Sequence, residues 1–405
     1  MTSSRPVKAA FKLWSLLPLT AVGGVLSLFA ISPASAEVVL RFTTFEPEGI
    51  VGYQARKLGD AISQSTDGEV TLEYYWAGSL LPAAQMASGI ADGIADIGMT
   101  LPPYNPSEFP IANWATVLGS LAETEFPLNM LQAAGANAET ILSSEALRAE
   151  FDRQGLVMLT PIFSYPGFDL LCKEPVTNLQ TAEGKRVRVG GNLWATEAQK
   201  VGMEPVALPG SDVYQAAQRG IVDCVMQHPP GYVGNSVWEV VKHFTPTQFT
   251  GWNAAYLVIG KAKWNSLDEA QQKAIREGAF AYFVATHEKS LQDYAEFAGS
   301  GADEHGIEFH TMEEDLAAAV AEAQATGRAD AIGTAPGSLE DPEGFVTAYE
   351  EAMAKWKAIV FDNGLVDLGG AESGSIREKM AAAANLDLSR WADRAHKEVF
   401  SKYSD

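Results

Sequence analysis

An α/β fold with two α/β units is the architecture this 405-residue sequence predicts. Strand and helix patterns alternate in two separate stretches, Val38 to Thr100 and Gly184 to Pro230. Such alternation builds mainly parallel sheets covered by helices. The second stretch is a compact βαβαβ unit, and sheets of this kind form ligand crevices at the carboxyl ends of their strands. From Ala262 onward the pattern turns largely helical.

The elements follow in order. Val38 to Phe42 reads as the opening strand and Thr43 to Gly52 as a glycine- and proline-bearing loop. A helix from Tyr53 to Ser65 ends at the turn Thr66-Asp67-Gly68. Glu69 to Tyr75 is the next strand, Leu81 to Asp92 a helix and Ala95 to Thr100 a buried strand. Asn105 to Leu121 is a loop-rich crossing, and Pro127 to Glu150 is mostly helical. Leu156 to Phe163 and Phe168 to Cys172 are strands. In the βαβαβ unit the strands are Lys185 to Val189, Glu204 to Leu208 and Ile221 to Met226; its helices are Trp194 to Val201 and Asp212 to Arg219. Thr250 to Val258 is a strand carrying Trp252 and Tyr256. Ser266 is the expected N-cap of a long helix reaching Ala298. Beyond Val320 the tail is rich in alanine and glutamate, with helices near Leu316–Ala325, Pro342–Val360 and Ile376–Lys402. It either wraps onto the body or mediates association.

Residues 1–36 are read as a signal peptide. Arg5, Lys8 and Lys12 precede a mostly apolar run from Leu13 to Ile31, and Ala34-Ser35-Ala36 supplies a small-x-small cleavage site before Glu37. The run approaches the length of a membrane anchor, but Pro18, Gly23-Gly24 and the Ala-x-Ala site favour cleavage near Ala36. The mature protein is expected to be soluble and exported. Formal net charge is −22 over the full sequence, and the segment removed carries three positive and no negative residues. A strongly acidic surface argues against a nucleic-acid partner. Cys172 and Cys224 are the only cysteines. In an oxidising compartment they either join in one disulfide or remain two separate buried thiols, the plainer reading of their spacing.

The segment Lys185-Arg186-Val187-Arg188-Val189 sends its valines to one face and its arginines to the other. The pattern G-x-[KR]-x-R-V at Gly184, the proline-containing strand after Gly202, and V-Y-x-A-x-Q-x-G-x-V-D from Val213 together resemble the solute-binding proteins of tripartite ATP-independent periplasmic (TRAP) transporters. Trp264-Asn265-Ser266-Leu267 with Gln271-Gln272 is similar to that family's W-x-x-L-x-x-x-x-Q helix start. The resemblance covers roughly Val38 to Val320. It implies a two-lobed type II periplasmic-binding fold with an interlobe cleft. Lobe I would span 37–164 plus 252–295, lobe II 165–251, with a spine helix over 266–298 and a helical C-terminal extension over 320–405. It also implies a small organic-acid ligand, a TRAP membrane permease as partner, and a monomer or dimer.

Arg188 is the position matching the family's carboxylate anchor, and a guanidinium suits a carboxylate because it offers paired donors. Arg186 is expected to point to a helix or to solvent. Gln227 follows the V-D-C strand, where an amide can orient a ligand. His228 departs from the family's usual ending there, and Asn192 and Trp194 flank the anchor. The resemblance turns Phe45-Glu46, Trp76 and Tyr104 toward the cleft, with Tyr165 and Trp252-Asn253 at the interlobe crossings. The site residues singled out are Arg188, Gln227, Asn192, Trp252, Asn253, Trp76, Tyr104, Phe45, Tyr165, Trp194 and His228. So many aromatic residues imply a bulkier or partly aromatic acid. Phe168-Asp169-Leu170-Leu171 lacks the second arginine of some relatives, so one anchor is expected.

No nucleophile elbow, zinc-protease helix or phosphate loop is present, and no catalytic residue, cofactor or metal is expected. His305 and His310 with Asp303, Glu304 and Glu308 read as an exposed acidic turn. An exported enzyme using the same cleft, or a receptor for a signalling partner, remains the alternative function. Ligand turnover would identify the enzyme, and a coding region without a permease neighbour would favour the sensor.

Overall fold

The computed structural model describes residues 37–121, 125–162, 167–251, 255–324, 328–362 and 374–403. Two sheets organise the body. The first has strands β1 (Val38–Thr43), β2 (Val70–Tyr75), β3 (Ile97–Thr100) and β4 (Leu156–Pro161); β10 (Tyr256–Gly260) returns to it. The second comprises β5 (Phe168–Cys172), β6 (Arg186–Val189), β7 (Glu204–Ala207), β8 (Cys224–Gln227), β9 (His243–Phe249) and β11 (Glu308–Phe309). Their orders are β2-β1-β3-β10-β4 and β11-β9-β5-β8-β6-β7. Each sheet holds three strands paired in parallel, β1 with β2 and β3, and β6 with β7 and β8. One strand in each runs antiparallel to both its neighbours, β10 in the first sheet and β5 in the second.

Both lobes carry one local clamp. Gly93-Ile94-Ala95-Asp96 precedes β3, and Gly220-Ile221-Val222-Asp223 precedes β8. Both glycines have positive φ, 75° and 72°, a left-handed turn for which glycine is best suited. Asp96 accepts from Arg41 Nε on β1 at 2.9 Å, and Asp223 accepts from Arg186 Nε on β6 at 2.9 Å. In both cases the arginine's backbone N–H donates to the same carboxylate. Arg186 is therefore held by the aspartate just before β8, its side chain remaining partly open to solvent as expected. With Arg186 clamped, Arg188 lies two residues on, at the carboxyl end of β6.

Several boundaries differ from the sequence reading for definable reasons. The first helix begins at Glu48, not Tyr53; Pro47 presets the entry and Glu48 favours the N-terminal dipole. The strand expected at Ile221 begins at Cys224, because Gly220 to Asp223 makes the clamp turn. The strand expected over 250–258 is β10, which begins only at Tyr256, while the strand before it, β9, already ends at Phe249. β9 contains Pro246, which reads as a strand boundary. The proline is tolerated because β11 pairs only with His243 and Phe244, and the register against β5 jumps from Thr245 to Phe249. Ser266 closes a short helix, Lys261–Asn265, while Asp268 caps the long helix Glu269–Ala298 with Gln271 in a capping box.

The long helix touches both lobes and the tail. Its Gly278 admits the first helix so closely that a Cβ would lie 2.7 Å from Ile62. On another side Phe283 stacks on Trp391, and Phe280 meets Phe400, at 5.6 and 4.9 Å between ring centres. The tail helix Pro342–Lys357 packs on Leu128–Ser143, where a Cβ at Gly135 would fall 2.2 Å from Trp356. Trp356 Nε1 donates to Glu139 and Trp391 Nε1 to the Leu131 carbonyl. The extension thus covers the body. No described helix is long and apolar enough to cross a membrane.

Cys172 and Cys224 are bonded, correcting the reading of separate thiols. Spacing in sequence could not reveal that they face one another across β5 and β8. The bridge closes a separation of 52 residues, for which chain entropy gives a contribution of about 4 kcal/mol. Replacing both cysteines by serine is expected to lower unfolding stability by about 2–4 kcal/mol in urea titration. An unchanged midpoint would contradict this.

Burial pushes Glu46, Asp169 and Glu197 up to about 7, and Asp293 up to about 6. Folded pKa values above unfolded ones mean that the folded chain holds more protons, so stability rises as pH falls from 8 toward 6. His287, pushed down to about 4 by burial, acts oppositely below about pH 6.5. Thermal melting should therefore occur at higher temperature at pH 6 than at pH 8, and a decrease over that interval would refute the assignment.

Candidate functional site

Arg188 is 3% exposed and lines a cavity of about 40 Å³ between the lobes. Its Nε donates to the Leu208 carbonyl at 2.9 Å, and its guanidinium hydrogen-bonds the Tyr104 hydroxyl. That hydroxyl also accepts the Gly210 N–H at 3.1 Å. Tyr104 belongs to the first lobe and Gly210 to the second, so one phenol links both lobes at the anchor. Phe168, Met99 and Leu101 supply apolar wall.

Glu46, from the loop after β1, faces the same cavity. Its Oε2 is buried without a hydrogen-bond partner among the described residues. Desolvation drives its rise to about 7, and the Arg188 charge opposes that rise. Gln227 lines this cavity and an adjoining one, also of about 40 Å³, and its Oε1 is likewise buried and unpartnered. His228 lines both. Its Nδ1 accepts the Gly231 N–H at 3.0 Å, while burial and then Arg188 hold its pKa well below the usual value. The ring is consequently neutral, with its proton on Nε2.

Of the other residues singled out from sequence, those described do not line this cavity. Phe45 is buried beside Tyr104, 5.8 Å between rings, behind the cavity wall. Trp76 stacks on Tyr74 at 5.3 Å and packs against the first lobe's core. Trp194 is 1% exposed, donates to the Thr250 carbonyl at 2.8 Å and stacks on Phe168. Asn192 is exposed at the start of its helix and, with Trp194, borders a separate groove of about 580 Å³. Tyr165, Trp252 and Asn253 lie outside the described residues. Among the described residues, Tyr104 and Phe168 are the phenyl or phenol rings that line the cavity at Arg188. Glu46, turned toward the cleft together with Phe45 in the sequence reading but not singled out as a site residue, is the one of the pair that lines the cavity; an acidic residue between Phe45 and Pro47 in a cleft-facing loop was the available signal.

The cluster read around His305 and His310 divides. His305 stacks on Trp238, 4.2 Å between centres, whereas His310 meets His243 from β9.

Residues 43–329 match the model of the DctP family, the bacterial extracellular solute-binding proteins of family 7. An uncharacterized protein of Haemophilus influenzae is 30% identical over 253 residues, 61% of this chain and 74% of that protein. The 2,3-diketo-L-gulonate-binding periplasmic protein of Escherichia coli is 24% identical over 230 residues, 56% and 66% of the two chains. Among solved structures, the pyroglutamate-binding receptor DctP7 of Bordetella pertussis has a TM-score of 0.65 at 18% identity, covering 77% of this chain and 99% of its own. The ectoine-binding protein of Halomonas elongata also scores 0.65 at 18% identity, covering 78% and 99%. These likenesses carry the two-lobed fold, and the tail beyond residue 329 extends past the family match. The chain belongs to the DctP family of bacterial extracellular solute-binding proteins.

Proposed function

We propose that this protein is the periplasmic receptor of a TRAP-type secondary transporter. Exported by cleavage near Ala36, it captures a small organic acid between its lobes and delivers it to a membrane permease without chemical change. The observation that carries the reading is Arg188, a buried guanidinium at a strand's carboxyl end in an interlobe cavity. Burial of a charge is unfavourable unless an opposite charge and hydrogen bonds compensate it. Glu46 compensates it only in part at neutral pH, because burial raises that carboxyl to about 7. A ligand carboxylate completes the charge balance, with hydrogen bonds that contribute roughly 1.5–3 kcal/mol.

The cavity also supports a narrower class of ligand. Among the described residues Glu46 Oε2 and Gln227 Oε1 are acceptors without donors, so a matching molecule presents an N–H or O–H opposite its carboxylate. The small volume favours a compact acid over a bulky aromatic one. Pyroglutamate and ectoine, bound by structurally similar proteins, combine a carboxylate with a ring N–H and are the first compounds to test. Entry requires the lobes to part and then close, and the closed form is what a permease would recognise.

A thermal-shift screen of organic acids followed by calorimetry tests the reading. Arg188→Ala should weaken binding of every acid by tenfold to a hundredfold or more, with Arg188→Lys intermediate because it keeps charge but loses the paired donors. Equal affinity in the alanine variant would remove Arg188 from the site. Glu46→Gln should weaken acids bearing an N–H donor by about tenfold and spare acids without one. A ligand recovered chemically altered after incubation would favour the enzyme reading instead.

A further inference from the structure

The edge of the second sheet holds a constellation that solute binding does not use. His243 on β9 and Glu308 on β11 are register partners in a parallel pair. His310, two residues past Glu308, emerges from the same face of the extended segment. His243 Nδ1 lies 3.1 Å from His310 Nε2 and 3.4 Å from Glu308 Oε2. The three donor atoms all fall within 4.8 Å of one another. A tetrahedral ion with bonds of about 2.0–2.1 Å has ligand–ligand edges of about 3.3–3.4 Å, so two measured separations are already near that spacing.

The backbone beneath these groups is fixed independently. Glu308 N–H donates to the Lys242 carbonyl and His310 N–H to the Phe244 carbonyl, both at 2.8 Å. On its other side His243 pairs with Cys172, which the disulfide joins to Cys224. Phe244 and Phe309 pack ring to ring at 5.0 Å. Donors are thus converged by the sheet itself rather than by flexible loops.

We propose that His243, Glu308 and His310 bind one zinc ion, with water in the fourth position on the side where Glu308 is exposed. Two imidazoles and a carboxylate form a donor set suited to zinc, whereas calcium takes six to eight oxygens. In the absence of metal, one neutral ring donates to the other across the 3.1 Å gap; on binding zinc that ring carries its proton on the nitrogen turned away from the ion, so both imidazoles stay neutral and no net proton is released. None of the three residues lines the Arg188 cavity. The ion would cross-link the strand that leads into the C-terminal extension to the sheet of the second lobe.

Tag-free mature protein, stripped with chelator, is titrated with zinc chloride by calorimetry and with cobalt(II) by visible absorption. One ion per chain is expected, with the intense bands of four-coordinate cobalt. His243→Gln and His310→Gln should each weaken zinc binding by more than about 100-fold, since even outer-shell changes cost 10–100-fold, while Arg188→Ala leaves it unchanged. Absence of stoichiometric binding, or zinc affinity undiminished in the histidine variants, overturns the site. Should a histidine variant melt below the metal-free parent, the cobalt spectrum of the parent decides: octahedral, weak bands count against the proposal.

Discussion

A guanidinium enclosed between two lobes sets the terms for the rest of this molecule. A charge at 3% exposure is tolerable only if its surroundings donate and accept in the right places, and each lobe supplies part of that environment. The second lobe contributes the Leu208 carbonyl and the strand end; the first contributes Tyr104 and Glu46. Neighbouring titratable groups do not cancel the charge. His228 is held neutral, and Glu46 is pushed toward its protonated form by burial. The cavity therefore retains positive character at neutral pH in a protein whose overall charge is strongly negative. Long-range repulsion of anions by the surface and short-range attraction at Arg188 act together, which favours ligands small enough to be enclosed.

The position of that guanidinium follows from the clamp two residues earlier. Arg186 and Asp223 in one lobe, and Arg41 and Asp96 in the other, tie the first strand to its parallel neighbour through both side chain and backbone. Burial pushes Asp96 up, yet its hydrogen bonds with Arg41 hold it below the usual carboxylate range. Two residues beyond each clamped arginine lie Thr43 and Arg188, both buried, and of the two Arg188 lines the cavity between the lobes.

How much of this was legible in the sequence depended on the range of the interaction involved. The βαβαβ unit and the role expected of Arg188 rest on local alternation and on motif order, and the strands lie within a few residues of their expected places. Gln227 and His228 followed because they terminate the adjacent parallel strand. Pro246 concealed β9, since its tolerance depends on β11, which pairs with the strand at only two residues some 60 positions away. Trp76 and Trp194 misled for a related reason: a large ring near a cleft loop is as well accommodated stacking on Tyr74 or Phe168 as facing a ligand. The disulfide and the Gly135–Trp356 contact join segments 52 and more than 200 residues apart, and no local pattern encodes such pairs.

The extension imposes a further constraint on any opening of the lobes. Its helix Glu314–Gln324 is bonded to the second lobe, through Lys200 to the Ala323 carbonyl and through Gln324 to the Gln248 carbonyl. Its next helix, Arg328–Gly333, is bonded to the first lobe, because Trp114 Nε1 donates to the Ala331 carbonyl at 2.8 Å. Anchors on opposite lobes are therefore separated by only a few residues of chain. A hinge motion that widened the cleft would act on both anchors. A buried indole hydrogen bond is costly to leave unmade, whereas the lysine contact is partly solvated and more readily exchanged for water. In the arrangement that encloses Arg188, the extension thus holds hydrogen bonds to both lobes.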